Sequence, residues 1–259
     1  MTEDSILYEE RGPVALITFN RPDKLNAMNT GIVLRLIELF KQIDRSSQVQ
    51  AVVLTGAGRA FVAGADIGEY SQQDVQGFVE YQTMSRGMFE GIEFNRRPFI
   101  AAVNGYALGG GFELVLSCDL VVASRTAKMG LPEIQLGLLP GGGGTQKLGR
   151  IIGRNKAKEF LMTGRFMTAE EGYQLGIVNR VTEPDTTLEE ALKLAQEIAG
   201  KAAIAVREAK RLVNHGLEAP LDVMLSFEGS VLANLFQTAD AHEGIQAFVE
   251  KRQPHFGGK

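Results

Sequence analysis

The stretch from Phe99 to Leu116 limits what this chain can fold into more than any other. Phe99-Ile100-Ala101-Ala102-Val103 is apolar throughout and reads as a buried strand, while Glu113-Leu114-Val115-Leu116 begins a short apolar helix. Between them lies Asn104-Gly105-Tyr106-Ala107-Leu108-Gly109-Gly110-Gly111-Phe112. A strand that passes through glycines into a helix leaves first-turn N–H groups unpaired, at the positive end of the helix dipole. Glycine also lets a bound group approach that backbone, because no side chain intervenes. The pattern predicts an anion-stabilising pocket with Glu113 in the first turn beside it.

Composition narrows the remaining choices. With 259 residues, 44% of them hydrophobic and 22% charged, the chain has enough apolar material for one sizeable core. A net charge of −4 and a pI near 5.6 argue against nucleic acid as the main partner. The single cysteine, Cys118, rules out an internal disulfide framework and reads as a core residue, with no His or Asn constellation to activate it. The start, Met1-Thr2-Glu3-Asp4-Ser5, is acidic and unlike a signal or transit peptide. No stretch approaches the roughly 18 apolar residues of a membrane span. These features predict a soluble, cytoplasmic protein.

Residues 5–20 read as two strands turned at Arg11-Gly12-Pro13, and a helix follows from about Thr30 with Val33, Leu36, Ile37, Phe40 and Ile43 on one face. Ala51–Thr55 is a short buried strand, so the first part of the chain is a crossover unit of an α/β layer. The small-residue segment Gly56–Ile67 reads as a loop, residues 70–97 as helical, and Cys118–Ala123 as a further strand. Thr168 with Glu171, and Thr187 with Glu190, read as capping boxes. From 187 to about 252 only helices are expected, with Leu188, Ala191, Leu192, Ala195 and Ile198 on one face. The layout divides into a core over residues 1–185 and a helical region over 186–259.

Five blocks occur in an order that resembles the enoyl-CoA hydratase/isomerase (crotonase) superfamily. They are Asn20-Arg21-Pro22, Ala63-Gly64-Ala65-Asp66, Asn104 to Glu113, Pro132 to Gly137 with Pro140 to Thr145, and Ala247 to Arg252. The resemblance covers nearly the whole chain and is strongest to short-chain enoyl-CoA hydratases. It implies an α/β fold with a crotonase-like ββα spiral core and a C-terminal helical trimerisation region, assembled as a trimer or a dimer of trimers. It implies reversible hydration of trans-2-enoyl-CoA thioesters to 3-hydroxyacyl-CoA, with CoA as part of the substrate and no metal or other cofactor.

By motif position the resemblance assigns the oxyanion hole to the N–H groups of Ala65 and Gly110, and the catalytic carboxyls to Glu113 and Glu133. Hydration needs both carboxyls, one to take a proton from water and one to protonate the α-carbon, while amide donors hold the charge that develops on the thioester oxygen. Glu133 is assigned the α-proton and Glu113 the water. Lys24, Leu25, Ala63, Gly64, Asp66, Ile67, Phe248 and Lys251 resemble the segments that contact CoA, the last two often from a neighbouring subunit. Phe112 stands where many relatives have a smaller residue, which points to an altered pocket.

Several residues have plainer readings. Glu113 and Glu133 taken singly are equally helix-start carboxylates. Asp66 reads as a loop cap, Asp119 and Arg125 as partners at strand ends, and Gly141–Gly144 as a tight turn at a helix start, since neither nucleotide-binding glycine fingerprint is present. His215, His242 and His255 lack metal-ligand spacing. Lys251-Arg252 fits a solvated helix end as well as a CoA contact. The alternative activities are a Δ3,Δ2-enoyl-CoA isomerase or a specialised acyl-CoA lyase of the same superfamily. An RNA-binding role on the same scaffold lacks a basic, aromatic-interleaved segment.

Overall fold

Gly12-Pro13 turns the chain at once, so β1 (Ile6–Arg11) and β2 (Val14–Phe19) form an antiparallel hairpin. The computed structural model describes residues 5–259, so the acidic start Met1–Asp4 lies outside the described residues. Helix α1 (Thr30–Arg45), capped by the Asn29 side chain accepting from Ile32 N–H, buries Ile32, Val33, Leu36, Leu39, Phe40 and Ile43 and returns the chain to β3 (Ala51–Gly56), parallel to β2.

From β3 onward one plan repeats. The first unit is β3, β4 (Ala60–Ala63), the short α2 (Ile67–Tyr70) and α3 (Val75–Glu93). The second is β5 (Phe99–Val103), β6 (Tyr106–Leu108) and α4 (Gly110–Ser117), and the third is β7 (Leu120–Ser124), β8 (Lys128–Gly130) and α5 (Gly144–Ile152). Each unit places its first strand in one sheet and its second strand in another. After α6 (Arg154–Thr163), β9 (Met167–Thr168) and α7 (Ala169–Gln174), β10 (Arg180–Thr182) ends the larger sheet. The sheets run β1-β2-β3-β5-β7-β10 and β4-β6-β8-β9. This is a ββα spiral. Its second strands, β4 and β6, lie in segments that read from sequence as loop and turn; they are too short and glycine-flanked to show a period.

The large sheet is parallel except at β1 and is covered on both faces, which explains its unbroken apolar strands. Ile17, Phe19, Val52, Leu54, Phe99, Ala101, Val121 and Ala123 face one core; Val14, Leu16, Val53, Ile100, Ala102 and Val122 face the other. The second core is closed by Ala191, Leu194 and Ala195 of α8 (Thr187–Ala199), so the first helix beyond residue 186 packs directly on the sheet.

The chain ends in α9 (Ala203–Gly216), α10 (Leu221–Phe236) and α11 (Ala239–Glu250). Lys210 on α9 donates to Asp119 Oδ2 at 2.8 Å, Ile92 O at 2.9 Å and Arg97 O at 3.0 Å, using all three ammonium protons. Asp119 also accepts from Phe99 N–H at 2.7 Å, and Arg125 pairs with Glu183. Thr168 caps α7 by accepting from Glu171 N–H, but the Glu171 carboxylate turns to Arg165 and leaves the box half made. Thr187 does not cap: it is already helical, and its hydroxyl bonds Thr182 and the Glu183 carbonyl. Among the described residues no helix is long and apolar enough to cross a membrane.

Candidate active site

Three segments from three successive ββα units meet at one point. Gly109 carries φ +54°, and a Cβ there would lie 3.6 Å from Gly64 Cα and 3.0 Å from Glu133 Oε1, so only glycine fits between those neighbours. Around this contact is a cavity of about 280 Å³. Ala63, Gly64, Ala65, Gly109, Gly110, Glu113 and Glu133 all line it.

The two amides predicted as donors are left free by the local pairing. Met28 N–H donates to Gly64 O at 2.9 Å and Asp66 N–H donates to Met28 O at 2.8 Å, which turns the intervening Ala65 N–H away from that pairing. Gly110 is the first residue of α4, whose first intrahelical donors reach back only to Gly109 O, from Phe112 and Glu113. Among the described residues no oxygen accepts from the N–H of Ala65 or Gly110.

The carboxyls sit in contrasting surroundings. Glu113 is 3% exposed, and its Oε1 accepts from Gly142 N–H at 2.7 Å and Gly144 N–H at 2.8 Å. Burial pushes its pKa up; the two N–H groups and the Lys147 ammonium pull the other way by favouring the ionised form. Lys147 stands behind this arrangement, donating to Ser117 Oγ at 2.7 Å and pairing with Glu93 at 2.9 Å, while Ser117 Oγ donates to Glu113 O. Glu133, on a 3-10 turn over Glu133–Leu136, has a buried Oε2 with no partner among the described residues. Burial first, with the nearby Glu113 charge adding to it, pushes Glu133 up to about 7. One carboxyl is therefore held by donors and the other is poised to carry a proton near neutrality.

Comparison with known proteins identifies this arrangement's relatives. The family model described as Enoyl-CoA hydratase/isomerase matches residues 9–259. The chain belongs to the enoyl-CoA hydratase/isomerase family. It is similar to a probable enoyl-CoA hydratase of Rhizobium meliloti, at 46% identity covering 99% of both chains. It is also similar to the short-chain-enoyl-CoA hydratase of Clostridium acetobutylicum, at 39% identity over 98% of this chain and 97% of that one. The crystal structure of an enoyl-CoA hydratase from Bacillus anthracis superposes with a TM-score of 0.96 at 37% identity, covering 98% of this chain and 100% of that one. The ββα spiral is thus the crotonase fold.

The other family-type candidates divide. Ala63, Gly64 and Ile67 line the cavity. Leu25 lies beside it through its carbonyl, which accepts from Ala63 N–H at 3.0 Å, and Lys24 is exposed at the end of the 3-10 turn Pro22–Lys24. Asp66 is occupied structurally: it caps α2 through Gly68 N–H and pairs with Arg21 at 3.1 Å. Phe248, 85% exposed on α11, and Lys251, exposed just past its end, do not line this chain's cavity. Phe112 is fully buried in the main core and is not part of the cavity wall, so its size does not shape the pocket directly.

Sequence reasoning ties the acyl pocket to the packing of residues 70–97 and the helical tail but names no residue of the 70–97 wall. Tyr70 of α2 and Phe78, Tyr81, Gln82, Ser85 and Phe89 of α3 line the cavity. Their only signal was the mixed polar and apolar character of residues 70–97. The glycine turn was read as a neighbour of the site; its N–H groups in fact hold a site carboxyl.

Proposed function

We propose that this protein catalyses the reversible hydration of trans-2-enoyl-CoA thioesters to 3-hydroxyacyl-CoA. The observation that carries the reading is the single cavity that joins two unpaired amide N–H groups to two carboxyls, one held by backbone N–H donors and the other keeping a buried oxygen without a partner among the described residues. The names of the related hydratases support the same substrate class.

In this reading the thioester oxygen accepts from Ala65 and Gly110 N–H, which stabilise the charge that builds up as water attacks the β-carbon. Ionised Glu113 takes a proton from that water, and its oxygen bonds to the β-carbon. Protonated Glu133 gives its proton to the α-carbon, so the elements of water are added and one proton has passed from Glu133 to Glu113. Exchange with solvent resets the pair. The two surroundings fit this division, since N–H donors favour a carboxylate and an unpartnered buried oxygen favours the acid. Proton transfer and charge stabilisation suffice for the reaction, so no cofactor beyond the CoA of the substrate enters the proposal.

The test is loss of enoyl-thioester absorbance with crotonyl-CoA, comparing wild type with Glu113→Gln and Glu133→Gln. Turnover by wild type with a fall of about 10²–10⁴ in each variant is expected. No incorporation of labelled water oxygen at the β-carbon would point to isomerisation instead, and full activity in either variant would remove that glutamate from the mechanism.

Assembly belongs to the same proposal. Leu221, Val223, Leu225, Leu232 and Phe236 of α10 are exposed in the single chain, a face that a homotrimer or a dimer of trimers would cover. Phe248 and Lys251 would then reach CoA in a neighbouring subunit. Sedimentation giving a monomer at working concentration would sink this part. A cytoplasmic location completes the reading, and cell fractionation tests it.

A further inference from the structure

Beside this cavity lies a second, more open apolar cavity of about 390 Å³, lined in addition by Ser71, Gln73, Asp74 and Val75. Ile67, Tyr70, Phe78, Leu136 and Leu138 line both cavities and form the wall between them. Of these, Ile67, Leu136 and Leu138 are exposed, so each has freedom to turn aside. Tyr70 does not. Gln82 Nε2 donates to its hydroxyl at 3.3 Å, and the rings of Phe78 and Tyr81 meet it edge-on with centroids 5.4 and 5.2 Å away. Gln82 is itself wedged against the glycine turn: a Cβ on Gly141 would fall 2.0 Å from Gln82 Oε1. The ring is thus tied through Gln82 to the turn that grips Glu113.

We propose that Tyr70, fixed by Gln82 and braced by Phe78, is the residue that limits acyl length here, making the protein selective for short enoyl chains by closing the main cavity off from the second one. The proposal rests on the hydratase reading and adds its substrate class. The physical basis is that a fixed ring in a packed wall rejects the first methylene that would overlap it, whereas flexible aliphatic side chains yield. With the ring removed, the two cavities join, and the distal part of a longer chain gains an apolar surface to bury.

The experiment measures kcat/KM for crotonyl-CoA, trans-2-hexenoyl-CoA and trans-2-decenoyl-CoA in wild type, Tyr70→Ala and Phe78→Ala. The readout is the ratio of decenoyl to crotonyl activity, which does not depend on the absolute activity of a variant. In wild type that ratio should be at or below about 10⁻², since a single methylene in a tight apolar pocket already discriminates by about 10–200-fold. In Tyr70→Ala it should rise at least about tenfold. Phe78→Ala should raise it less, and serves as the second test if Tyr70→Ala does not fold. A wild-type ratio near one, or a ratio unchanged in folded variants, overturns the length limit while leaving hydration intact. Failure of wild type on all three substrates would instead overturn the hydratase reading.

Discussion

Glu133 keeps a buried carboxyl oxygen, Oε2, that meets no donor among the described residues, whereas Glu113 spends one oxygen on two backbone N–H groups. That difference has a thermodynamic consequence. Glu133 moves from an ordinary value of 4.5 to about 7 in the folded protein. Between those values the folded chain holds a proton that the unfolded chain has released, so this residue destabilises the fold increasingly as pH rises through the window. Glu133→Gln is uncharged at every pH and removes the effect. The melting temperature of this variant relative to wild type should therefore be higher at pH 8 than at pH 5. A difference that stays constant across that range would mean that Glu133 is not held protonated by its surroundings.

At the scale of an element, the turn Gly141–Gly144 does more than start α5. Its amides hold Glu113, and the absence of side chains is required: a Cβ on Gly142 would fall 2.1 Å from the Phe89 ring, and one on Gly144 would fall 3.0 Å from Glu113 Oε1. Gly142→Ala must move either the turn or α3, and so lengthens a bond that positions the carboxylate. Activity on crotonyl-CoA is expected to fall by about 10² or more, as for other losses in acid–base positioning, while circular dichroism stays native. Activity within twofold of wild type would show that the Gly142 N–H is dispensable. The turn was legible as a turn because four glycines follow a proline. Its partner was not, since Glu113 lies on another ββα unit and nothing local links the two.

The whole molecule depends on how the helical end of the chain is fastened to the spiral. Lys210 is 7% exposed at its side chain and Asp119 16%, and burial pushes Asp119 up against the opposing pull of Lys210 and the Phe99 N–H. Removing the ammonium strands a buried carboxylate and two carbonyls. Lys210→Met is expected to cost about 3–5 kcal/mol of stability, read from urea unfolding monitored by circular dichroism. A midpoint equal to that of wild type would show that α9 is held by packing alone. Asp119 had read from sequence as a strand-end partner, and that much is so; its ion-pair partner lies on a helix 91 residues further along the chain, which spacing along the sequence does not reveal.

Local chemistry is what the amino-acid order settled. Apolar runs marked β2, β3, β5 and β7, the Thr30–Ile43 periodicity marked α1, and the glycines before Glu113 marked a helix start with unpaired amides. Each depends on residues within a few positions of one another. The motif blocks carried the family, and with it Glu113, Glu133, Ala65 and Gly110 as candidates. Tertiary structure alone decided which candidates share a cavity, because strands β4 and β6 bring together loops separated by more than forty residues of sequence. It also decided that α8 covers the sheet, that Phe112 faces the core, and that Tyr70 and Gln82 form the far wall. Burial, not residue type, raises Glu133, as it also raises Glu113 and Asp119, and burial is a property of the assembled fold.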